Sequence, residues 1–220
     1  QLRDHKSRSR RDDFQNHQTL YPLSELAQRA PRSKRSSPPD PRACPGCSRH
    51  AQTPMLYSYV GSESIRRAVA KMPPGTPITD LEVLLDWVEA RSYGDDLTAT
   101  FTITPRHIMQ LAERRSEHVA CAAGGPVAGA GEITFSQERG SWFVSEITNQ
   151  STGFCPDPSC WNAVARVLDA IGIEHPGRFT RAYDFRRCDA CGELALVKEQ
   201  WFVCAHCEAE LPRDYNLGPA

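Results

Sequence analysis

The 220-residue chain is 40% apolar, 24% charged and 8% aromatic, enough for one modest core with a small satellite. Its net charge of −1 excludes a uniformly basic nucleic-acid coat, and no run of ~18 consecutive apolar residues suggests a spanning helix, so no membrane partner is expected. Seventeen prolines point to a part of the chain that does not pack.

Taken from the N-terminus, the charge is uneven. Residues 1–43 hold ten Lys/Arg against five Asp/Glu, a net of +5, while the rest hold sixteen against twenty-two, a net of −6. Pro22, Pro31, Pro38, Pro39 and Pro41 interrupt this stretch, and its one apolar patch runs from Leu20 to Leu26. Such a segment cannot bury enough surface to offset its ordering entropy, so a disordered basic tail is expected over 1–43. Gln1–Arg11 shows no apolar core of a secretory signal, which points to a reducing, cytoplasmic setting.

From Met55 onward the pattern is that of a folded domain. Residues 55–60 read as a short strand. Ile65, Ala68, Val69 and Met72 recur at helical spacing behind a capping Ser62, and Pro73-Pro74-Gly75 ends that helix. Thr79 or Asp80 caps a second helix with Leu81, Leu84, Leu85 and Val88 as its stripe. Leu97, Ala99, Phe101 and Ile103 alternate along a β-branched strand over 97–104. Residues 105–115 fit either a helix or the return arm of a hairpin. Three more strands are read over 117–122, 130–135 and 142–148, the last two joined by a bend at Gly140. Asp157-Pro158 opens a helix with Trp161, Val164, Ala165, Leu168 and Ile171 on its buried side and Gly172 as its stop. Consecutive strands with two to three helices predict an α+β domain with a mainly antiparallel sheet over 55–185.

The strongest chemical pattern is C-terminal. Cys188-x-x-Cys191-Gly192 and Cys204-x-x-Cys207 present two tight turns, and the segment between them is strand-like at both ends. Two such turns on a hairpin supply four thiolates in tetrahedral array, which suits a structural zinc in a ribbon over 186–217. A rubredoxin-type iron uses the same turns, and disulfides would need an oxidising compartment. His206 lies inside the second turn as a bystander. Cys44-Pro-Gly-Cys47 is half of another metal knuckle, which Cys155 and Cys160 would have to complete in space. Trp201, Phe202 and Val203 form a bulky run beside the second pair. One of its two faces needs apolar cover, so the ribbon is expected to dock on the main domain through Trp201.

Candidate reactive groups are scattered. Cys121 near His118 invites a nucleophile–base pair, but in a strand the two would face opposite ways. The Gly-rich run 123–131 lacks the pattern of a phosphate loop and fits either a bulged hairpin connection or a close ligand approach. Asn149, Gln150, Ser151 and Thr152 could line a pocket with Glu117 and His118, or merely cap the sheet.

Four blocks, RRSEHVACAAGGPVAGAGEITF, ITNQSTGFCPDPSCW, FRRC-x-x-CG and CAHCEAELPRDYN, together resemble an uncharacterised bacterial family with a C-terminal zinc ribbon, over about residues 55–217. The resemblance implies a fold unit and zinc, not a reaction. The first two blocks are more distantly similar to a module also seen in plant calmodulin-binding IQ-motif proteins. There a His-Ser-Ser stretch precedes Gly-Gly and a Ser-Gly-His-Tyr follows. Here Val119-Ala120 replaces the serines, and Thr152-Gly153-Phe154-Cys155 stands in the second place.

Two functions follow from these readings. The favoured one is a zinc-containing, non-catalytic adaptor for a protein, or for nucleic acid met through the basic tail or Arg178, Arg181, Arg186 and Arg187. The other is an enzyme with a cleft between the Gly-rich loop 123–131 and residues 149–152, with Glu117, His118, Glu132, Asn149, Ser151 and Cys155 as pocket groups.

Overall fold

Capping and spacing set the helices. Ser62 accepts a hydrogen bond from the Ser64 amide and opens α1 (Glu63–Val69), and Asp80 accepts from Val83 and opens α2 (Leu81–Glu89). The computed structural model describes residues 55–218; the expectations for the tail and for Cys44 and Cys47 fall outside them. The remaining elements are β1 (Thr76–Ile78), β2 (Asp96–Ile103), β3 (Met109–Glu113), α3 (His118–Cys121), β4 (Gly129–Glu138), β5 (Ser141–Ile147), a 3-10 turn (Pro158–Cys160) that Asp157 caps by accepting from the Ser159 amide, α4 (Trp161–Ile171) directly after it, β6 (Asp184–Arg187) and β7 (Leu194–Val197). The α+β reading holds, with four α-helices among the described residues where two to three were expected.

Five strands form one antiparallel sheet in the order β1-β3-β2-β4-β5. Residues 105–115 are the return arm of a hairpin: β3 pairs with β2 from Ala99↔Glu113 to Ile103↔Met109. Ala99, Phe101, Ile103, Met109, Leu111, Ile133, Phe135 and Ile147 are buried on one face, and α4 brings Val164, Val167 and Leu168 into the same core. At full burial each of these side chains larger than alanine contributes about 1.5–3 kcal/mol. Met55–Val60 is not a strand; only Tyr57 bridges the sheet region, at Val127.

Residues 117–122 depart from expectation. They form one helical turn, with the Cys121 amide donating to Glu117 O at 3.0 Å and Ala122 to His118 O at 2.9 Å. β4, the strand they would have paired with, is already flanked by β2 and β5, and an alanine-containing turn is the cheaper remaining conformation. The Gly-rich run then ends this turn, Gly124 donating to Val119 O at 2.8 Å, instead of bridging two strands.

One glycine is dictated by a backbone crossing. A Cβ on Gly131 would stand 1.9 Å from Thr148 O, so no side chain fits where the chain leaving β5 passes over β4. Beyond β5 the chain pairs Thr148 with Arg181 in parallel, and β6 and β7 make a separate two-stranded sheet. The C-terminal hairpin therefore starts at Asp184, inside the range assigned to the main domain. No helix among the described residues is long and apolar enough to cross a membrane.

Candidate functional site: a four-cysteine metal centre

Two turns of the same design build the site. In the first, the Cys188 amide donates to Glu193 O (2.9 Å) and Gly192 donates to Cys188 O (2.8 Å). In the second, Cys204 donates to Ala209 O (2.8 Å) and Glu208 donates to Cys204 O (2.9 Å). The fifth residue of each turn is left-handed, with φ of 78° at Gly192 and 61° at Glu208. Glycine takes that conformation freely, whereas a side chain there costs about 1–2 kcal/mol.

All four sulfurs lie within 4.8 Å of one another. Cys188 Sγ is 3.5 Å from Cys207 Sγ, and Cys191 Sγ is 3.7 Å from Cys204 Sγ. Metal–sulfur bonds of about 2.3 Å in a tetrahedron place sulfurs about 3.8 Å apart, while a disulfide needs about 2.05 Å. The donor set and its spacing fit one metal ion. His206 stands outside it, exposed, with only its amide directed at Cys204 Sγ (3.4 Å).

Backbone amides prepare the thiolates. The Cys191 amide leads in drawing the Cys188 thiol down to about 7, and the Cys207 and His206 amides draw Cys204 down. The Glu193 and Ala209 amides likewise favour ionised Cys191 and Cys207, but burial and the neighbouring thiols outweigh them and raise both. Four clustered thiolates repel one another, and a divalent cation removes that repulsion.

The C-terminal hairpin meets the main domain through Tyr215 and not through Trp201. Trp201 is 71% exposed and docks nowhere. Arg186 is buried and ties the hairpin to its own C-terminal segment, donating to Phe185 O (2.8 Å), Pro212 O (3.2 Å) and Arg213 O (2.8 Å), with Asp184 3.8 Å away. Arg186 and Arg213 flank the Phe202 ring at 5.7 and 4.5 Å. Asn216 pairs both ways with the Arg187 backbone at 2.8 Å. Tyr215 meets the main core, edge-on to Tyr57 at 5.9 Å, and donates to Cys155 O at 3.1 Å. Of the four arginines considered for nucleic acid, Arg186 is thus committed to the fold, while Arg178, Arg181 and Arg187 are exposed.

The other candidate groups do not converge through hydrogen bonds. The His118 ring is half-buried with Nε2 3.0 Å from Gly131 O, and burial lowers its pKa against the opposing effect of that bond. Cys121 turns elsewhere, 3.6 Å from Thr102 Oγ1, and burial pushes its thiol up to about 11. Asn149 is fully buried and structural, donating to Pro156 O and Tyr183 O (2.8 Å each) and accepting from the Tyr183 amide (2.7 Å). Ser151 accepts from Phe154 N at 3.4 Å. Cys155 donates to Thr152 O at 3.3 Å, and burial raises its thiol to about 12. Glu117 is exposed at the start of α3 and makes no capping bond. Glu132 alone lines a sizeable cavity, of about 1020 Å³, between the end of α2 and the sheet. Sequence reasoning missed that cavity's Arg91, Tyr93, Arg114 and Arg115; the strap residues Arg213, Tyr215 and Asn216 stood in the LPRDYN ending without a visible role.

Fold and site together define an α+β protein with a four-cysteine group able to hold a metal ion. Comparison with known protein families, curated proteins and solved structures found no match for this chain.

Proposed function

We propose that the chain is a zinc-stabilised, non-catalytic binding module that works in a reducing, cytoplasmic compartment and presents its ribbon to a protein partner. The observation that carries the zinc reading is the four-sulfur cluster, whose spacing matches a closed tetrahedral site with no position left for water or substrate. The exposed Leu196, Trp201 and Val203 of the ribbon support an interaction role, since they leave apolar surface in water. The engagement of His118, Asn149, Ser151 and Cys155 in local bonds favours binding over catalysis in the 123–131/149–152 region. Membership of the bacterial zinc-ribbon family belongs to this same proposal.

Elemental analysis of the purified chain should find about one zinc per molecule, and none in a Cys188→Ser/Cys204→Ser variant. Iron, or an unchanged metal content in the variant, overturns the zinc assignment. Trp201→Ala with metal content unchanged should lose the partner captured by the wild-type chain; an unaffected complex removes the ribbon from the interface.

A further inference from the structure

The cavity beside α2 is independent of the metal centre and of the partner reading. Its wall combines the end of α2 (Trp87, Arg91), Tyr93 from the following loop, Arg114 and Arg115 from the turn after β3, and Glu132 on β4. None of the ion pairs among the described residues includes Arg91, Arg114 or Arg115. Among the described residues, Arg91, Arg114 and Arg115 therefore line one concavity with no carboxylate in salt-bridge contact, an arrangement that an anion stabilises.

The wall is preorganised. Arg91 lies 4.6 Å over the Trp87 ring and donates to Trp87 O at 3.2 Å, so its side chain is already ordered. The turn carrying Arg114 and Arg115 is tied to the sheet by Thr100 Oγ1, which lies 3.2 Å from Arg114 O and 3.3 Å from Ser116 O. Tyr93, by contrast, is wholly exposed at the rim, an aromatic face with nothing stacked on it.

We propose that this cavity binds a mononucleotide: Arg114 and Arg115 hold the phosphate, Tyr93 stacks on the base, and Glu132 accepts from a sugar hydroxyl or a base amine. The volume suits a small organic ligand more than a bare oxyanion. Arginine supplies the bidentate phosphate contacts, and base-on-aromatic stacking adds affinity with little dependence on sequence. A long nucleic-acid strand fits less well. Asp95 and Asp96 line the adjoining concavity and Glu113 the cavity itself, so a continuing polyanion would run onto carboxylates.

The test titrates the full, metal-loaded chain with ADP, adenosine, pyrophosphate and a single-stranded thymidine octamer, read by calorimetry. ADP should bind at least about tenfold more tightly than adenosine or pyrophosphate. Arg114→Ala/Arg115→Ala should weaken ADP by about tenfold or more at an unchanged melting temperature, because both side chains are exposed and the turn is held by backbone carbonyls. Tyr93→Ala should weaken ADP and leave pyrophosphate unchanged. Absence of ADP binding at about 1 mM, equal affinity in the arginine variant, or tighter binding of the octamer than of ADP overturns the proposal.

Discussion

Removing the Asn149 side chain should loosen both halves of the protein at once. Asn149→Ala strips a partner from three backbone groups, the Pro156 and Tyr183 carbonyls and the Tyr183 amide, at a position with no solvent exposure. A buried polar group left unpaired costs about 1–3 kcal/mol, and water entering the vacated space offsets part of this, so we expect about 3–5 kcal/mol in total. For a folded unit of this size that corresponds to a fall in melting temperature of about 6–20 °C. Asn149→Asp is the sharper variant, because a carboxylate oxygen would face two carbonyl oxygens where the amide NH2 now donates. Denaturant unfolding followed by circular dichroism gives the stability, and hydrogen exchange of the β6–β7 amides shows whether the ribbon loosens too, since Tyr183 leads directly into β6. A loss below about 1 kcal/mol, or unchanged exchange in the ribbon, would refute the view that this amide joins the sheet to the ribbon.

Other perturbations have clear signs. Gly131→Ala should cost about 3 kcal/mol or more in denaturant unfolding, because the new methyl meets the Thr148 carbonyl and not a movable side chain. Burial lowers the folded-state pKa of His118, so its unfolded form takes up the proton first: stability should be full above about pH 6.5 and decline as the pH falls below it, with a slope of at most ~1.4 kcal/mol per pH unit. His118→Gln should flatten that slope in melts taken across the window. Trp201→Ala should change stability by no more than about 0.5 kcal/mol, as expected for a side chain left in solvent. Brief alkylation at neutral pH, mapped by mass spectrometry, should spare Cys121 and Cys155, whose thiols are pushed to about 11 and 12, and reach the ribbon cysteines only after a chelator is added.

What the chain reveals on inspection is governed by the range of the physics. The caps at Ser62, Asp80 and Asp157, the alternation of Leu97 to Ile103 and the two Cys-x-x-Cys turns are local, so they were readable. The turn at His118 was not, because its residues are neutral between strand and helix and the outcome depended on β2 and β5 occupying both sides of β4. The docking of the ribbon was foreseen but assigned to the wrong residue. A bulky Trp201 suggests burial, whereas the contact with the main domain falls to Tyr215, which bonds to Cys155 O, while Arg186 and Asn216 close the hairpin on its own C-terminal segment. Asn149 was noticed for its polarity and read as either a pocket or a capping group; only the distances show that both its donors and its oxygen are bonded internally. Arg91 and the Arg114-Arg115 pair stand on separate elements, and no spacing rule brings them together.

The ring-to-ring meeting of Tyr57 and Tyr215 has a topological meaning. These residues stand near the two ends of the described chain, yet their centroids are 5.9 Å apart, so the polypeptide enters and leaves this unit at one spot. A unit with adjoining ends can be spliced into a surface loop of another protein without prying that loop open, and its ends can be joined and reopened elsewhere without rerouting a strand. In modular terms it is a cassette, with a single aromatic clasp marking the seam.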